Sequence, residues 1–363
     1  MYKYQHGGDI YSRPATTKEG RAFIDFSANI NPLGVPGGVK KAIKNAVGQC
    51  VNYPDAFCRG LRQAAAAFLG VPGEYLFFGN GAADVLFRLA LALKPRKALL
   101  LAPTFSDYEK SLRAVGCKIT YYELAERHAF VVQQDILEKI TDDVDMVYIC
   151  NPNNPTGQLT GRSMLLKILE KCRQSGARLL VDECFMDFVA ASKAFSLRDM
   201  LAGYSELIIL KAFTKTFAIP GVRLGYCMTS DEKLHTLLYE HGQDWSVSVL
   251  AQAAGVAALQ EQEYLQKSMA LIEEERSYLI KNLTYLGAKI YGSEANYIFF
   301  YLAEPDRLPE LLAEQGILIR SCANYHNLEG PYYRVAVKAR RYNRALVRAI
   351  KEAKKHAFFT FTD

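Results

Sequence analysis

The sequence predicts an α/β protein with a large domain on a mostly parallel, helix-covered sheet and a smaller α+β domain after it. Between residues 75 and 182, short apolar runs of strand length alternate with helical stretches, as in parallel strands joined by crossover helices. After residue 231 the pattern changes to long helices followed by short strands. At 363 residues, half of them hydrophobic, the chain is long enough for both units and an ample core.

The chain begins with a stretch rich in turn signals. Residues 1–35 contain H-G-G-D-I-Y (6–11) and D-F-S-A-N-I-N-P-L-G (25–34), in which paired glycines and Asn-Pro mark turns. We expect an extended arm that lies over the body of the protein or over a partner subunit. The predicted large domain then covers 36–245 and the predicted small domain 246–363.

The elements of the large domain follow in order. Helices are predicted at 39–47, 56–69, 82–93, 105–115, 163–175 and 231–241, and strands at 75–78, 98–101, 119–122, 146–150, 179–181, 207–210 and 224–228. In sheets of this kind ligands bind beyond the carboxyl ends of the strands, so the polar residues that follow each strand are the candidates for a site.

The small domain is predicted from a different pattern. A long helical stretch at 246–286, broken near 260–263, precedes strands at 288–291 and 298–301, a helix at 308–315, strands at 317–320 and 332–337, and a last helix from about residue 343.

Composition excludes several classes of protein. The net charge of +6 is modest, and the basic cluster K-A-R-R at 338–341 with Arg344 and Arg348 is typical of a solvated helix face, so we expect no nucleic-acid partner. Eight cysteines show no CxxC and no metal-like grouping with the six histidines, which fits buried thiols in a reducing cytoplasm. We find no signal peptide and no apolar run of membrane-spanning length, and expect no membrane partner.

The stretch E-L-I-I-L-K-A-F-T-K-T-F-A-I-P-G-V-R-L-G-Y at 206–226 carries the main chemical signal. Lys215 follows an apolar strand, where a desolvated ammonium should have a lowered pKa and act as a nucleophile. Arg223, eight residues on, can hold an anion beside that amine. An amine and an anion grip are what a protein needs to hold pyridoxal phosphate as a Schiff base. Taken alone, a solvated loop lysine would explain the same pattern.

Four upstream motifs decide between these interpretations. In F-F-G-N-G-A-A-D (77–84), the backbone N–H groups of Gly81 and Ala82 would face outward at a helix start, which is either an anion site or a simple turn. In A-P-T-F-S-D-Y (102–108), Phe105 follows a strand and could stack on a ring or belong to the core. C-N-P-N-N-P-T-G (150–157) is a rigid turn with Asn154, and in L-V-D-E-C-F-M-D-F (180–188) Asp182 ends a buried strand, where a carboxylate needs a cationic partner.

Together these motifs resemble those of the fold-type I pyridoxal-phosphate enzymes, the aspartate-aminotransferase-like superfamily. The resemblance implies that superfamily's fold, with a seven-stranded sheet, and pyridoxal 5'-phosphate as cofactor. It also implies that Lys215 forms the Schiff base and then moves protons at the substrate Cα. The implied contacts to the cofactor are those of Gly81, Ala82, Thr214 and Arg223 with its phosphate, Phe105 with its ring face, Asn154 with its phenolic oxygen and Asp182 with its ring nitrogen.

Three further positions are interpreted by the same resemblance. Tyr53, in N-Y-P-D (52–55), matches a tyrosine that reaches into the neighbouring active site of a homodimer. Phe185 stands where relatives often have a tyrosine that donates to the phenolic oxygen, and Ala212 where they often have serine or threonine. Two expected cofactor contacts are therefore absent from the sequence.

The substrate side rests on two arginines. Arg334, in P-Y-Y-R-V-A-V (331–337), matches the arginine that clamps the substrate α-carboxylate in a bidentate pair. Arg320, in G-I-L-I-R-S-C-A-N-Y (316–325), implies a second anion on the substrate. His6 and Asn31 are further candidates for recognising phosphate or carboxylate, although His6 could equally be a structural turn residue.

Two subfamilies that act on phosphorylated amino acids fit this pattern. These are the histidinol-phosphate aminotransferases and the L-threonine-O-3-phosphate decarboxylases of cobalamin biosynthesis. The blocks at 6–11, 25–34, 217–226 and 317–325 are more similar to those of the second subfamily. The sequence leaves decarboxylation and transamination open, since the same residues serve both.

Overall fold

A computed structural model of the chain describes residues 6–12, 16–17, 20 and 22–359. The first strand, β1 (Ile24–Asp25), belongs to the N-terminal arm. Seven strands form the central sheet: β2 (Leu76–Gly79), β3 (Lys97–Ala102), β4 (Lys118–Glu123), β5 (Met146–Cys150), β6 (Arg178–Asp182), β7 (Leu207–Ala212) and β8 (Gly225–Met228). The helices of this part are α1 (Gly37–Ala46), α2 (Arg59–Leu69), α3 (Ala82–Leu93), α4 (Ser106–Arg113), α5 (Arg162–Ser175), α6 (Phe213–Thr216) and α7 (Glu232–Glu240).

The central sheet is mostly parallel, and this prediction is confirmed. Its strand order is β2-β8-β7-β6-β5-β3-β4, and only β8 runs antiparallel to its neighbours. The inner strands β5 and β7 are buried at every residue, which explains why they appear in the sequence as continuous apolar runs rather than alternating ones. Separate hydrophobic clusters pack against the two faces, so that Val147 lies in one cluster and Tyr148 in the other.

The C-terminal part contains a smaller antiparallel sheet. Its strands are β9 (Lys289–Tyr291), β10 (Tyr297–Tyr301), β12 (Arg320–Ser321) and β13 (Tyr332–Ala336), in the order β12-β13-β10-β9. The remaining elements are α8 (Val249–Ala258), α9 (Gln262–Tyr285), α10 (Leu308–Glu314), β11 (Ile317–Leu318) and α11 (Arg340–Phe359). The predicted break of the long helix lies between α8 and α9.

The strand predicted at 317–320 is wrong in one respect, because the structure divides it between two sheets. β11 pairs in parallel with β1 of the arm, whereas β12 pairs with β13. The arm is therefore hydrogen-bonded to the C-terminal part of the chain through a strand that the sequence analysis did not predict. A pairing between segments almost 300 residues apart leaves no signal in the local hydrophobic pattern.

The division of the chain at residues 245 and 246 stays a prediction. Helix α8 packs against α1 and α2, while α9 packs against β9, β10 and α11. Among the residues described above, no helix combines the length and the apolar character that crossing a membrane requires.

Helix α11 is rich in basic residues and carries a net positive charge. Its residues 340–355 contain seven Lys or Arg and one Glu, whereas the whole chain has a net charge of +6. The exposed members of this set are Arg341, Arg344, Arg348, Lys351 and Lys355. They follow one another at spacings of three and four residues, and so they form a stripe along one face of the helix.

Candidate active site

A cavity of about 250 Å³ lies at the carboxyl ends of three adjacent parallel strands. Cys150, Asp182 and Ala212, the last residues of β5, β6 and β7, all line it. The start of α3, residues 27–29 of the arm and Arg334 of β13 provide other parts of the wall. This is the position that the parallel topology predicts for a ligand site.

Lys215 lies in α6, directly after β7, and lines the cavity. Burial, with the positive charges of Arg334 and Arg223, lowers the pKa of its ammonium to about 8, although Cys184 and Asp182 oppose the shift. Within the part of the chain that the structure describes, no hydrogen bond from its Nζ is found. Lys215 is thus a poised amine, by which we mean one of lowered pKa that faces the cavity without a hydrogen bond from its Nζ to the described residues.

Asp182 is a buried carboxylate that also lines the cavity. Its Oδ2 accepts a hydrogen bond from the Tyr108 hydroxyl at 2.5 Å, and its Oδ1 accepts one from the Cys184 backbone N–H at 2.8 Å. Burial raises the pKa of the carboxyl group, while these donors and Lys215 favour its charged form. A buried carboxylate of this kind favours a cationic ligand atom on its cavity side.

Tyr108 was missed as a functional residue in the sequence analysis. It is fully buried, and its ring contacts that of Phe105 edge-on at a centroid distance of 5.6 Å. Tyr108 comes three residues after Phe105, at the start of α4, and residues at that spacing lie on one side of a helix. This spacing could have identified Tyr108 as a neighbour of the site from the sequence.

The end of the cavity near α3 is suited to an anion. Ala82, Thr214 and Arg223 line it, and the first N–H groups of the 12-residue helix α3 have no carbonyl partner within that helix. Gly81 has a φ of +86°, and a Cβ there would lie only 2.5 Å from Nη2 of Arg223. The guanidinium therefore sits directly against the turn that precedes α3. At Gly225, β8 comes equally close to the start of α3, since a Cβ added there would lie 2.2 Å from the Ala82 nitrogen.

Arg334 connects the cavity to the small sheet and to the arm. One guanidinium nitrogen donates to Oδ1 of Asn154 and the other donates to the Ser27 carbonyl at 2.7 Å. The side chain is 5% exposed, and its Nε has no partner among the residues described. Asn154 and Arg334, predicted from distant motifs, are thus in direct contact.

Two N-terminal candidates have different surroundings. His6 lines the cavity, where its Nε2 lies 3.1 Å from Oδ1 of Asp107 and its ring 5.6 Å from that of Phe105. Asn31 does not line the cavity, and its contact with substrate stays a prediction. Its Nδ2 donates to the Thr216 carbonyl at 2.8 Å, so its amide is used to hold the lysine loop.

A different asparagine faces the cavity. Asn29 lines it and is 3% exposed, yet its Oδ1 has no hydrogen-bond partner in the described structure. The motif S-A-N-I-N-P contains both asparagines, and local sequence does not tell which of them points inward. Asn29 was therefore missed.

Arg320 and Tyr53 lie outside the main cavity. Arg320 lines a second, smaller cavity of about 70 Å³, and its guanidinium carbon lies 5.4 Å from the Tyr325 ring centroid. Tyr53 is 78% exposed and stacks on Trp245 at a centroid distance of 4.5 Å. Within one chain neither residue reaches the space next to Lys215.

The two departures noted in the sequence both face the cavity. Phe185 lines it and contacts the Tyr297 ring at 5.0 Å, while the Tyr297 hydroxyl donates to the Asn153 carbonyl. Ala212 contributes only a methyl group. In this structure neither position supplies a donor to the cavity.

The fold and the cavity together define a pyridoxal-phosphate-type enzyme. The chain belongs to the aminotransferase class I and II family, whose model matches residues 21–350. It is 37% identical to the threonine-phosphate decarboxylase of Salmonella typhimurium over 97% of both chains. It is 32% identical to the histidinol-phosphate aminotransferase of Moorella thermoacetica over 91% of this chain and 85% of that one. The crystal structure of the histidinol-phosphate aminotransferase from Clostridium acetobutylicum matches with a TM-score of 0.85 at 28% identity, over 91% of this chain and 99% of the other.

The residues present fit the cofactor on which this family depends. The poised amine of Lys215 suits the aldehyde carbon, and the buried carboxylate of Asp182 suits a protonated ring nitrogen. The start of α3 with Thr214 and Arg223 suits a phosphate. The three groups line one cavity, so a single ligand can meet all of them.

Proposed function

We propose that this chain is a pyridoxal-phosphate-dependent decarboxylase of L-threonine O-3-phosphate, or of a close phosphorylated amino acid such as phosphoserine. Its product would be the aminoalkyl phosphate used in assembling the nucleotide loop of cobalamin. The observation that carries the proposal is that Lys215, Asp182 and Arg223 line one cavity. Arg334, the proposed partner of the substrate carboxylate, lines the same cavity. The 37% identity to a threonine-phosphate decarboxylase supports the choice of substrate.

Each residue has a defined task in this proposal. When bound, pyridoxal phosphate supplies an electron-withdrawing ring that takes up the electron pair released at the substrate Cα. Asp182 holds a proton on the ring nitrogen, and Tyr108 keeps that carboxylate charged and oriented. Phe105 provides a flat apolar wall against one face of the ring. Asn154, whose Oδ1 accepts a hydrogen bond from Arg334, would donate its amide N–H to the phenolic oxygen.

The substrate is oriented by its anions. Arg334 holds the α-carboxylate, because the guanidinium fork matches two carboxylate oxygens. The phosphate is held on the side of His6 and Arg320, and the two grips together fix the rotation about the bond between Cα and the amino nitrogen. That rotation decides whether CO₂ or a proton leaves from Cα. Lys215, with its pKa of about 8, can then deliver a proton to Cα near neutral pH.

The alternative is a histidinol-phosphate aminotransferase. Similarity to enzymes of that name, at 32% identity in sequence and a TM-score of 0.85 in structure, favours it. The same cavity would serve, with the Cα proton rather than CO₂ leaving first. Lys215 would then carry that proton between Cα and the cofactor carbon.

One experiment separates these reactions. Purified holoenzyme is incubated with L-threonine O-3-phosphate without any keto acid, and CO₂ release is followed, with phosphoserine in parallel. Steady release over many turnovers supports the decarboxylase. A stall after one turnover that 2-oxoglutarate relieves contradicts it and supports the aminotransferase. The single methyl that distinguishes the two phosphorylated substrates is worth roughly 1–3 kcal/mol of discrimination.

We also propose that the enzyme is a cytoplasmic homodimer. All eight cysteines are free, which suits a reducing compartment. Tyr53 and Trp245 stack on the surface of the chain, 78% and 49% exposed, and an exposed aromatic pair of this kind favours a subunit interface. Tyr53 would then complete the partner's active site.

A further inference from the structure

Arg320 and Arg334 stand directly opposite each other on neighbouring strands. They are register partners in the antiparallel pair of β12 and β13, so both side chains rise from the same face of the small sheet. Their Cα atoms are therefore held at about 5 Å by the sheet itself. Like charges at directly opposite positions destabilise a sheet, so this arginine pair lowers the stability of the protein. Two bound anions would offset that loss of stability.

The two guanidinium groups nevertheless face different spaces. Arg334 lines the main cavity beside Lys215, whereas Arg320 lines the smaller second cavity. Among the residues that the structure describes, Phe105 and Tyr325 alone line both of these cavities. The wall between the two arginine sites therefore consists of these two aromatic side chains.

Tyr325 is the part of this wall that lies next to both arginines. The Arg320 guanidinium lies 5.4 Å from its ring centroid, and the positive charge of Arg334 acts on its hydroxyl. The ring is held by a compact loop, because the Tyr325 N–H donates to the Cys322 carbonyl at 3.0 Å and the Leu328 N–H donates to the Tyr325 carbonyl at 3.3 Å.

We propose that Tyr325 is a specificity-determining residue that sets the length of the phosphorylated amino acid accepted by the site. This inference rests on the proposed function. A substrate whose α-carboxylate meets Arg334 must carry its phosphate past the Tyr325 ring to reach Arg320. With the arginines fixed by strand register, the ring limits the path between them, and it selects a phosphate on the β-carbon oxygen over one that is a methylene farther away.

The test compares O-phospho-L-threonine with O-phospho-L-homoserine, whose phosphate lies one methylene farther from Cα. The ratio of kcat/KM for the two is measured in wild type, Tyr325→Ala and Tyr325→Phe, and the ratio of Kd by calorimetry on the Lys215→Ala forms. One methylene is worth about 10–200-fold in such a ratio. We expect wild type to prefer phosphothreonine by that factor, Tyr325→Phe to keep the preference because the ring remains, and Tyr325→Ala to reduce it by about 10-fold or more.

The matched control is Tyr301→Ala, which removes a ring that is partly buried like that of Tyr325 but lines neither cavity. It should leave the ratio as in wild type. An unchanged ratio in Tyr325→Ala, or an equal loss in Tyr301→Ala, would overturn the inference. If wild type neither binds nor consumes phosphothreonine, the proposed function itself fails, and that outcome is distinct because it does not depend on any variant. Calorimetry and circular dichroism of each variant distinguish lost folding from lost selectivity.

Discussion

Lys211 and Lys215 carry the same side chain four residues apart, but their surroundings give them opposite properties. Burial lowers the pKa of Lys211, yet Asp187 and Tyr226 outweigh this effect and raise it. Its Nζ lies 2.5 Å from Oδ1 of Asp187, so it stays a charged structural group. In the part of the chain that the structure describes, Lys215 forms no ion pair with a carboxylate, and burial lowers its pKa to about 8. The strand β7 thus holds a lysine that stays charged, and the helix α6 after it holds a lysine that can act as a neutral amine.

The first prediction concerns the pH dependence of cofactor uptake. Only the neutral amine attacks an aldehyde, so the rate at which cofactor-free protein takes up pyridoxal phosphate should rise with pH and reach half its maximum near pH 8. An ordinary lysine would give a midpoint near about 10.4. The measurement is the rise of the absorbance band near the visible edge over a series of pH values. A midpoint near that of free lysine, or an unchanged band in Lys215→Ala, would contradict the assignment.

The same depressed pKa affects stability. In the unfolded chain the lysine binds its proton up to a higher pH than in the folded one, so the stability of the cofactor-free protein should increase as pH rises from about 8 to about 10.4. Lys215→Met removes this contribution. Urea unfolding at several pH values should show wild type approaching the variant as pH rises through that window. A constant difference between the two proteins would refute the prediction.

A further prediction tests the hydroxyl of Tyr108. Tyr108→Phe removes the donor to Asp182, and a hydrogen bond to a buried charged group is worth about 1.5–3 kcal/mol. Affinity for pyridoxal phosphate should therefore fall by roughly 10–100-fold, measured as the Kd from absorbance titration. Tyr148→Phe is the matched control, since the one hydrogen bond found for that buried hydroxyl in the described structure is to Met146 Sδ at 3.7 Å. Equal losses in the two variants would mean that the Tyr108 hydroxyl has no special role.

For single residues, the sequence predicted which residues belong to the site better than it predicted where their side chains point. Lys215, Asp182 and Asn154 follow strands directly, and strand ends meet at one edge of the sheet, so the motifs were enough to bring them together. The choice between Asn29 and Asn31 depends on how the arm turns over the cavity, which two residues of local sequence do not determine.

At the scale of elements, the anion end of the cavity depends on how closely β8 approaches the start of α3. β8 pairs antiparallel with β2, the strand that leads into α3. Gly225, the first residue of β8, pairs with Gly79, the last residue of β2. Without side chains at these positions, the backbone of β8 can lie directly against the turn at Gly81. The geometry of this proposed phosphate site is thus produced by two strands and a helix rather than by the turn alone.

Gly225→Ala tests this close approach. The new Cβ would lie 2.2 Å from the Ala82 nitrogen, so the strand or the helix start must shift. We expect a loss of about 1–3 kcal/mol in the free energy of unfolding, together with weaker binding of pyridoxal phosphate. Gly60→Ala, in α2, meets no atom within 4 Å and should stabilise the protein by up to about 1 kcal/mol. Urea unfolding of both variants measures the contrast, and a Gly225→Ala protein with unchanged stability and affinity would exclude strain at this contact.

The elements that sequence located well are those with a strong local pattern. The predicted helix at 82–93 coincides with α3, and the predicted strand at 146–150 coincides with β5, because helical periodicity and a continuous apolar run specify each of them. The segment 317–320 was predicted as one strand because its two partners, β1 and β13, come from opposite ends of the chain.

At the scale of the whole molecule, the N-terminal arm connects the two parts of the site. Residue 31 donates its backbone N–H to the Lys215 carbonyl, while the Ser27 carbonyl accepts from Arg334. The side chain of Asn296, next to β10, also donates to the Asn29 carbonyl. The arm therefore lies between the lysine loop and Arg334 and fixes one relative to the other.

The last prediction tests the proposed dimer. If Tyr53 completes the partner's site, mixing inactive Lys215→Ala with impaired Tyr53→Phe chains should restore activity, because a hybrid dimer holds one site with both native residues. After subunit exchange, about a quarter of all sites should be intact. Activity is followed against mixing ratio, with size-exclusion chromatography to confirm the dimer. No recovery, in proteins that exchange subunits, would place Tyr53 outside the shared site.

The stripe of arginines and lysines on α11 is a basic surface that can be used to purify and immobilise the protein. Residues 340–355 carry a net charge equal to the +6 of the whole chain, so the positive and negative charges of the remaining residues balance. A cation-exchange resin or a sulfonated chip should therefore capture the protein through this one helix, in a single orientation, and release it at moderate salt as the contacts are screened.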